Sequence, residues 1–272
     1  MGAEAGSSGV PTLHPHSQGR WSRVHEKFLA ERRPHTEEQL RRLRILSTTL
    51  ITVGSIGFLV FLVSVLTHEG AAVLDRPVQH ALEALRSPGL TGVSIGLAVV
   101  FGPISMPIVV AVTVVAWFLV SRHAWRPALL ALAMITGVLI AEVVAHLVGR
   151  PRPPLSGMLF GADHTPSFPS GHVLGTANFL LAGSYLFFSR LRNRRRAAIG
   201  FTIAVLLLIA VAASRVYLGY HWPTDTLASI SIGLIELGII VAVDTARTVV
   251  TTGHEPPNLA EGPETHPSAV GG

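Results

Sequence analysis

The sequence predicts an all-α, polytopic membrane protein: a bundle of six transmembrane helices with an interfacial helix between spans 1 and 2. Composition and the clustering of apolar residues both indicate this class. Of 272 residues, 49% are hydrophobic and only 14% are charged, and the mean hydropathy is +0.50. The apolar residues come in blocks rather than as alternating faces, and about 20 of them are enough for a helix to cross a bilayer core.

Six blocks are predicted to span the membrane, and each must be a helix because a span has to satisfy its own backbone hydrogen bonds. Six buried helices of a large soluble protein are the alternative, but such helices need polar faces that these blocks mostly lack. The predicted spans are residues 45–66, 103–120, 128–148, 173–188, 197–218 and 224–243.

The segments around the spans divide the chain into three parts. Residues 1–44 are a cytoplasmic, basic and largely disordered segment, whose last residues, 36–44, are expected to lead into span 1 as an interfacial helix. Residues 45–247 are the membrane domain, and residues 248–272 a disordered cytoplasmic tail rich in Pro and Gly. Between spans 1 and 2, residues 75–102 have mixed character, and the predicted interfacial helix carries an apolar face there.

The basic residues predict the orientation. Sixteen of the 21 Lys and Arg fall on one side: eight before span 1, two between spans 2 and 3, five between spans 4 and 5, and one after span 6. An excess of this kind marks the cytoplasmic side, so both termini are expected inside. This clustering at membrane boundaries argues against nucleic acid as a partner, despite a pI of 10.6, and favours membrane lipids.

Two further observations limit the function classes. The chain has no cysteine, which excludes disulfides and thiol chemistry. More than forty mainly polar residues precede the first apolar run, too many for the n-region of a cleavable signal peptide. We therefore expect span 1 to remain as an anchor in an integral membrane protein, at the plasma membrane.

The first chemical signal is Ser214-Arg215, followed by His221 and Asp225. Pro223 suits the first position of span 6, which puts Asp225 in its first turn within reach of His221. A carboxylate that holds one ring nitrogen of a histidine leaves the other nitrogen free to attack. The alternative is that Asp225 only caps the helix and His221 lies in a loop.

The second signal, Pro169-Ser170-Gly171-His172, opens span 4. Free N–H groups at a helix start attract anions, Gly171 would let a phosphate approach the backbone, and Ser170 adds a hydroxyl donor. His172 suits a general acid for a leaving alkoxide. A serine cap beside an interfacial histidine is the alternative.

The third signal is Arg150-Pro151-Arg152-Pro153, after span 3. Each arginine precedes a proline, which restrains its backbone, and guanidinium groups match phosphate oxygens better than ammonium groups do. Snorkelling at the membrane boundary is the alternative, and it fits Arg150 better than both together. The predicted orientation puts all three stretches on the extracytoplasmic face.

Together these stretches resemble the type 2 phosphatidic acid phosphatase (PAP2) superfamily, in its membrane-bound lipid phosphatase branch. The Pro-Ser-Gly-His and Ser-Arg…His…Asp elements match at every defining position. The resemblance implies a phosphohistidine formed on His221, with Asp225 as its orienting partner and His172 protonating the leaving group. It implies a phosphate cradle of Arg152, Ser170, Gly171 and Arg215, and no metal or other cofactor.

One position departs from the family pattern, which has a lysine seven residues before the Arg-Pro arginine. Ala145 stands there, and the chain's only lysine is Lys27. His146, the next residue, and Arg150 are possible auxiliary phosphate ligands. Glu142 is unusual within a span, and either an ion pair with His146 or an interhelical contact would account for it.

The expected function is a metal-independent lipid phosphate or pyrophosphate phosphatase at the extracytoplasmic face. Polyprenyl diphosphate, phosphatidic acid and phosphatidylglycerol phosphate all suit the class. A phosphotransferase using the same intermediate, or a non-catalytic membrane protein that retains the fold, are the alternatives; the vanadate-dependent haloperoxidases that share the cradle are soluble. The sequence leaves the lipid and the oligomeric state open.

Overall fold

A computed structural model of the protein describes residues 36–121, 124–189 and 193–246, and within those ranges every regular element is helical. Four helices are long and apolar enough to cross a membrane: α1 (Glu37–Thr67), α5 (Trp125–Val148), α8 (Arg194–Tyr217) and α9 (Pro223–Ala246). The all-α prediction is therefore confirmed for this part of the chain. Most of the predicted N-terminal segment and the whole predicted tail lie outside the described residues.

Helix α1 begins earlier than the predicted first span. The Thr36 hydroxyl accepts a hydrogen bond from the Gln39 N–H at 3.2 Å, and the Gln39 side chain accepts one from the Thr36 N–H at 3.3 Å. This reciprocal capping starts the helix at Glu37. The helix then passes through residue 44 without a break, so the charged lead-in forms the first turns of the same helix.

The connection between the first two predicted spans is a chain of short helices. A 3₁₀ turn (Gly70–Leu74) is followed by α2 (Asp75–Ala84), α3 (Pro88–Val100) and α4 (Ser105–Val120). Helices α3 and α4 are bent by 53° at their junction and could together form one broken span. Pro103, which lacks an N–H, lies in the break. The sequence prediction took only residues 103–120 as the span, and α3 would be the first half of such a broken span.

Helix α2 turns a polar side towards the protein. Asp75 and Gln79 are its buried residues, whereas Val78 and Leu85 are exposed. The apolar face that the sequence predicts therefore points outwards, the reverse of a helix packed on a hydrophobic core. An interfacial location for α2 stays a prediction.

The count of six spans is not confirmed. The predicted fourth span is a helical path in three pieces: α6 (Gly171–Ala177), a π-helical turn (Asn178–Ala182) and α7 (Gly183–Phe188). Its two α-helical pieces have seven and six residues, and neither alone reaches the roughly 20 needed to span. Among the described residues the structure has four candidate spans, or five with the bent pair. An apolar run in a sequence does not reveal a π turn, because only the hydrogen-bond pattern changes.

Packing places helix ends from all three motifs at one end of the bundle. The Ser47 hydroxyl of α1 donates to the Gly238 carbonyl of α9 at 2.8 Å, and a Cβ at Gly54 would lie only 2.6 Å from the Ser231 carbonyl oxygen. Small residues thus let α1 and α9 approach closely. The α6–α7 path packs against α5 and α9 through a core that includes Leu130, Val173, Ala177, Leu186 and Val241.

Candidate active site

The site forms where four helix ends meet: the C-terminal ends of α5 and α8 and the N-terminal ends of α6 and α9. Gly149 ends α5 in the left-handed conformation, φ 60°, and the chain then crosses the site through residues 150–170. Gly219, φ 82°, makes a similar turn after α8. The loop that follows carries His221 into the site.

His221 is buried and held at both ring nitrogens. Its Nδ1 lies 2.8 Å from the Ser167 carbonyl oxygen, and its Nε2 lies 3.2 Å from Nη1 of Arg152. A carbonyl accepts and a guanidinium donates, so this network assigns the proton to Nδ1 and the lone pair to Nε2. Burial lowers the pKa of His221 well below its ordinary value of 6.5, and the charges of Arg215 and Arg152 act in the same direction. The ring is therefore neutral at pH 7, and its Nε2 lone pair accepts the hydrogen bond from Arg152.

Asp225 lies beside His221 without the direct hydrogen bond that the spacing predicts. Its Oδ2 is 3.6 Å from His221 Nδ1, longer than a hydrogen bond. That oxygen accepts instead from the Trp222 N–H at 2.9 Å, which caps the first turn of α9. The carbonyl of Ser167 thus orients the ring, and the Asp225 carboxylate is close enough to stabilise a positive charge on it.

Arg150 is buried in an ion-pair network that the sequence did not indicate. It donates to Asp225 Oδ1 at 2.5 Å, to the Thr224 hydroxyl at 2.8 Å and to Asp75 Oδ2 at 2.6 Å. Asp75 also accepts from the Thr224 N–H at 2.9 Å. Arg150 is therefore committed to carboxylates, and the structure does not place it as a snorkelling residue.

Arg152 is held from several sides. Its guanidinium donates to the carbonyl oxygens of Thr165 and Tyr220 and to the Thr165 hydroxyl, each at 2.8 Å, and it pairs with Asp163 at 3.0 Å. These contacts fix the guanidinium against Nε2 of His221. The pair Asp163 and Thr165 comes from the loop before α6.

Arg215 and Ser170 each bury a polar atom that has no hydrogen-bond partner. The Arg215 guanidinium stacks on the Tyr220 ring at 4.4 Å, and its Nε is buried and unpartnered. The Ser170 hydroxyl is likewise buried and unpartnered, although its backbone carbonyl accepts from the Ser229 hydroxyl at 3.0 Å. Buried polar groups without partners are costly, and they are expected where a ligand supplies the missing acceptor.

Gly171 and His172 begin α6 beside these groups. Gly171 is exposed, and a Cβ there would meet nothing within 4 Å. His172 is half-buried and lies near enough to Arg215 and Arg152 for their charges to act on it. Burial and these charges lower the pKa of His172 to about 3. His172 is therefore neutral at pH 7 until an anion offsets the cations around it.

The structure distinguishes the two explanations for Glu142, an ion pair with His146 or a contact with another helix. His146 Nδ1 bonds the Glu142 carbonyl oxygen at 2.7 Å and lies 3.8 Å from the Glu142 carboxylate. Both side chains are largely exposed, so the pairing of Glu142 with His146 is the arrangement observed. Both of these contacts of His146 are with Glu142, and neither reaches the cluster around His221. Ala145, at the family's lysine position, is half-buried.

A cleft of about 380 Å³ lies beside the site. It is lined by residues 149–155 and 163–166, and it meets the site at Arg152, which contacts His221. Two cations, two neutral imidazoles and a hydroxyl together favour an anion of phosphate size. Within the described ranges no three His, Asp or Glu side chains are grouped so that they could hold a metal ion.

Sequence reasoning missed Asp75, Ser167 and Thr165. Asp75 contacts Thr224, 149 positions away, and the only local signal was an acidic residue that opens a short helix. Ser167 and Thr165 act partly through backbone carbonyl oxygens, which any residue type has. A pattern of side chains along the sequence therefore does not predict such contacts.

Comparison with known proteins agrees with this geometry. Residues 126–248 match the sequence model of the PAP2 superfamily. The chain is similar to phosphatidylglycerophosphatase B of Bacillus subtilis (strain 168), with 28% identity over 62% of this chain and 83% of that protein. It is 32% identical, over 40% of its length, to decaprenylphosphoryl-5-phosphoribose phosphatase of Mycobacterium tuberculosis, of which it spans 55%.

A solved structure is also similar: a transmembrane PAP2 type phosphatidylglycerolphosphate phosphatase from Bacillus subtilis. The TM-score is 0.64 and the sequence identity 25%, and the match covers 71% of this chain and 96% of that one. The helical arrangement described above therefore extends over nearly all of that protein.

Proposed function

Residues 126–248 of this chain belong to the PAP2 superfamily, and from that premise we propose that the protein is a lipid phosphate or diphosphate phosphatase working through a phosphohistidine. The chain is an enzyme of the phosphoric ester hydrolase class and an integral membrane protein. The nucleophile, the reaction steps and the side of the membrane are the parts that we infer.

In the first step, His221 Nε2 attacks the terminal phosphorus of the lipid. A nitrogen–phosphorus bond forms as the bond to the lipid oxygen breaks, and His172 gives its proton to that oxygen. The ring of His221 becomes positively charged. The Ser167 carbonyl keeps the Nδ1 proton in place, and the Asp225 carboxylate at 3.6 Å stabilises the charge.

In the second step, a water molecule gives a proton to His172 and its oxygen attacks the phosphorus. The nitrogen–phosphorus bond breaks, inorganic phosphate leaves, and His221 returns to its neutral form while His172 is again protonated. Arg215 and the Ser170 hydroxyl bind the non-bridging oxygens in both steps, where negative charge is concentrated. Arg152 joins them when its Nη1 N–H turns from His221 Nε2 to a phosphate oxygen, which also frees the nitrogen lone pair for attack. The open space beside Gly171 leaves room for an oxygen near the backbone.

The proton on His172 comes with the substrate. Because the pKa of His172 is lowered to about 3 by burial and by the neighbouring cations, the free enzyme does not hold this proton at pH 7. A phosphate group brings negative charge into the same space and raises the affinity of the imidazole for a proton. A monoanionic phosphate ester also carries the proton that His172 then transfers.

A lipid suits the surroundings of the cleft. Leu155, Leu159 and Phe160 are exposed large apolar residues of the loop between α5 and α6, where acyl or isoprenoid chains would contact them. The relatives' names concern a phosphatidylglycerophosphate and a decaprenyl phosphate derivative, and both classes are proposed substrates together with phosphatidic acid and polyprenyl diphosphates. Membrane lipids are the other proposed partners, and nucleic acid is not one.

The observation that carries the proposal is the pair of buried, unpartnered atoms, Arg215 Nε and Ser170 Oγ, next to the lone pair of His221. These two groups can donate hydrogen bonds to the oxygens of a phosphoryl group that lies close to His221. Asp225, Arg150 and Asp75 support this arrangement by holding the start of α9.

The test is hydrolysis of a panel of lipid phosphates by purified protein in EDTA, with acid-quench trapping of the phosphoenzyme. We expect turnover in chelator and a phosphohistidine that disappears in His221→Ala. His164→Ala is the matched control, because His164 is an exposed histidine of the same cleft. Retention of near-normal turnover by His221→Ala, or activity that strictly requires added magnesium, would show the proposal to be wrong.

A further inference from the structure

A second polar cluster lies inside the helical bundle, apart from the cleft. It joins Glu236 of α9, Asn178 at the start of the π turn and Thr136 of α5. The Thr136 hydroxyl donates to Glu236 Oε1 at 2.8 Å, and the Asn178 amide donates to Glu236 Oε2 and to the Ala133 carbonyl oxygen. Glu236 and Asn178 are 6% and 1% exposed. An ionisable side chain buried in a candidate span is costly, and such residues are usually retained for a function.

The neighbouring helices leave room for this cluster. A Cβ at Gly137 of α5 would overlap the Asn178 amide, and a Cβ at Gly233 of α9 would lie 2.7 Å from the Ala177 Cβ. Gly137 therefore clears space for the Asn178 side chain, and Gly233 clears space for the preceding residue, Ala177. Asn178 is held in place by packing as well as by hydrogen bonds.

The cluster holds the helical path that leads to the site. Asn178 is the first residue of the π turn, six positions after His172. A π turn inserts an extra residue into a helix, and π turns occur frequently at functional sites. The direction in which α6 presents His172 therefore depends on the π turn, because the turn rotates α6 relative to α7.

Helix α9 also holds α6 nearer the site. The Ser229 hydroxyl donates to the Ser170 carbonyl oxygen at 3.0 Å, and the Ser170 N–H donates to the Asp225 carbonyl oxygen at 3.4 Å. Helix α9 begins beside His221 and holds the α6 path at two positions along its length. Ser229 makes the contact nearer the site. Glu236 makes the contact farther along α9, through Asn178.

We propose that Glu236 is a positioning residue for this reaction: through Asn178 it keeps the π turn formed, and the π turn aims His172 at the oxygen of the leaving group. This inference rests on the proposed function. A residue that acts only in packing would affect all substrates alike. A residue that positions the general acid affects most the substrates whose leaving group needs a proton.

The distinguishing observation is dependence on the leaving group. An alkoxide, as in phosphatidic acid, needs a proton as it leaves, whereas p-nitrophenolate leaves without one. Kinetics with both substrates in the same detergent would be measured for Glu236→Leu, Asn178→Leu and the double variant. Thr245→Val is the matched control, since this buried hydroxyl bonds the Val241 carbonyl and lies at the end of α9 opposite to the site.

We expect each single variant to lower kcat/KM for phosphatidic acid by about tenfold or more, because small misplacements of a catalytic group have effects of this size. We expect kcat/KM for p-nitrophenyl phosphate, whose leaving group needs no proton, to fall by less than about threefold. The comparison uses kcat/KM because it reports the first step, whereas in the second step His172 accepts a proton from water whichever substrate was used. The double variant should regain thermal stability, since neither polar partner remains unpaired, but its kcat/KM for phosphatidic acid should stay low.

Two results would overturn the positioning role alone. These are equal losses of kcat/KM for both substrates in the single variants, and recovery of kcat/KM for phosphatidic acid in the double variant along with its stability. Failure of the wild-type protein to hydrolyse either substrate would overturn the proposed function, and the assignment of Glu236 with it.

Discussion

At the scale of single residues, the main finding is how His221 is oriented. The spacing of His221 and Asp225 predicted a direct hydrogen bond between imidazole and carboxylate. In the structure, the Nδ1–H of His221 instead donates to the Ser167 carbonyl oxygen, and the Asp225 carboxylate lies 3.6 Å from Nδ1. A carbonyl fixes the same tautomer without adding a full negative charge in contact with the ring. The Asp225 carboxylate, already paired with Arg150, then acts on the ring through space.

The first prediction concerns pH. Since the pKa of His221 is lowered by burial and by two arginines, the ring stays neutral as the pH falls through 6.5, and the acidic limb of kcat/KM should lie well below 6.5. On the basic side, activity should fall as the substrate monoanion is lost, around the second phosphate pKa of about 6. A kcat/KM profile from pH 4 to 9 checks both limbs. An acidic limb centred at or above 6.5 would contradict the assigned state of His221.

The second prediction concerns the position where the family has a lysine. Ala145→Lys should raise turnover or tighten phosphate binding. The upper limit is the free energy of one charge-assisted hydrogen bond, roughly 1.5–3 kcal/mol. His146→Ala should change turnover little, because His146 is exposed and contacts Glu142. Steady-state kinetics and phosphate inhibition of both variants are the measurements. A large loss in His146→Ala with no effect of Ala145→Lys would assign the auxiliary role to His146.

At the scale of elements, the site depends on connections between helix ends. Arg150 follows α5, Asp75 opens α2 and Thr224 and Asp225 open α9, and their side chains form one network. The contact from α2 comes from the segment that the sequence predicted only as an interfacial helix. Its polar inner side shows that α2 also contacts the start of α9, next to His221 and Asp225.

The third prediction tests this support. Asp75→Asn keeps an acceptor for the Thr224 N–H but removes the charge that balances the buried Arg150. We expect a loss of about 1–3 kcal/mol in stability, measured as a lower melting temperature in detergent, together with lower kcat. Glu69→Gln is the control, since it neutralises an exposed carboxylate of the same connection. An unchanged melting temperature in Asp75→Asn would show that the network does not hold α9.

At the scale of the whole molecule, the packing of the described helices brings the motif residues to one end of the bundle, and the charge distribution predicts which side of the membrane that end faces. The basic residues of the α7–α8 connection and of the N-terminal segment lie at the sequence positions expected on the cytoplasmic side. The cleft would then face outwards, towards lipids of the outer leaflet. This orientation is part of the proposal.

The fourth prediction is the topology itself. The chain has no cysteine, so a single introduced thiol reports its own location. Ala162→Cys, exposed in the loop beside the cleft, should react with an impermeant maleimide in intact cells, and Asn193→Cys, exposed at the start of α8, should react only after lysis. Loss of the Asn193 cap costs about 1 kcal/mol, which a helix of 24 residues tolerates. The reverse labelling pattern would move the chemistry to the cytoplasmic side.

The sequence by itself determined the membrane class, the approximate positions of the long apolar helices and the family. Each of these depends on composition, on run length or on spacings of a few residues, which a linear chain expresses directly. The residues His172, His221, Asp225, Arg152 and Arg215 could be selected for the same reason, because their motifs are local and their side chains are chemically distinctive.

Only the tertiary structure decided how those residues are held. The π turn at Asn178, the bend between α3 and α4, the carbonyl of Ser167 on His221 and the Asp75–Arg150–Asp225 network were not predictable. The contact between Asp75 and Thr224 joins positions 149 apart, and that between Asn178 and Glu236 joins positions 58 apart. Such contacts arise from the order in which helices pack and from backbone atoms common to every residue, so no local pattern in the sequence records them.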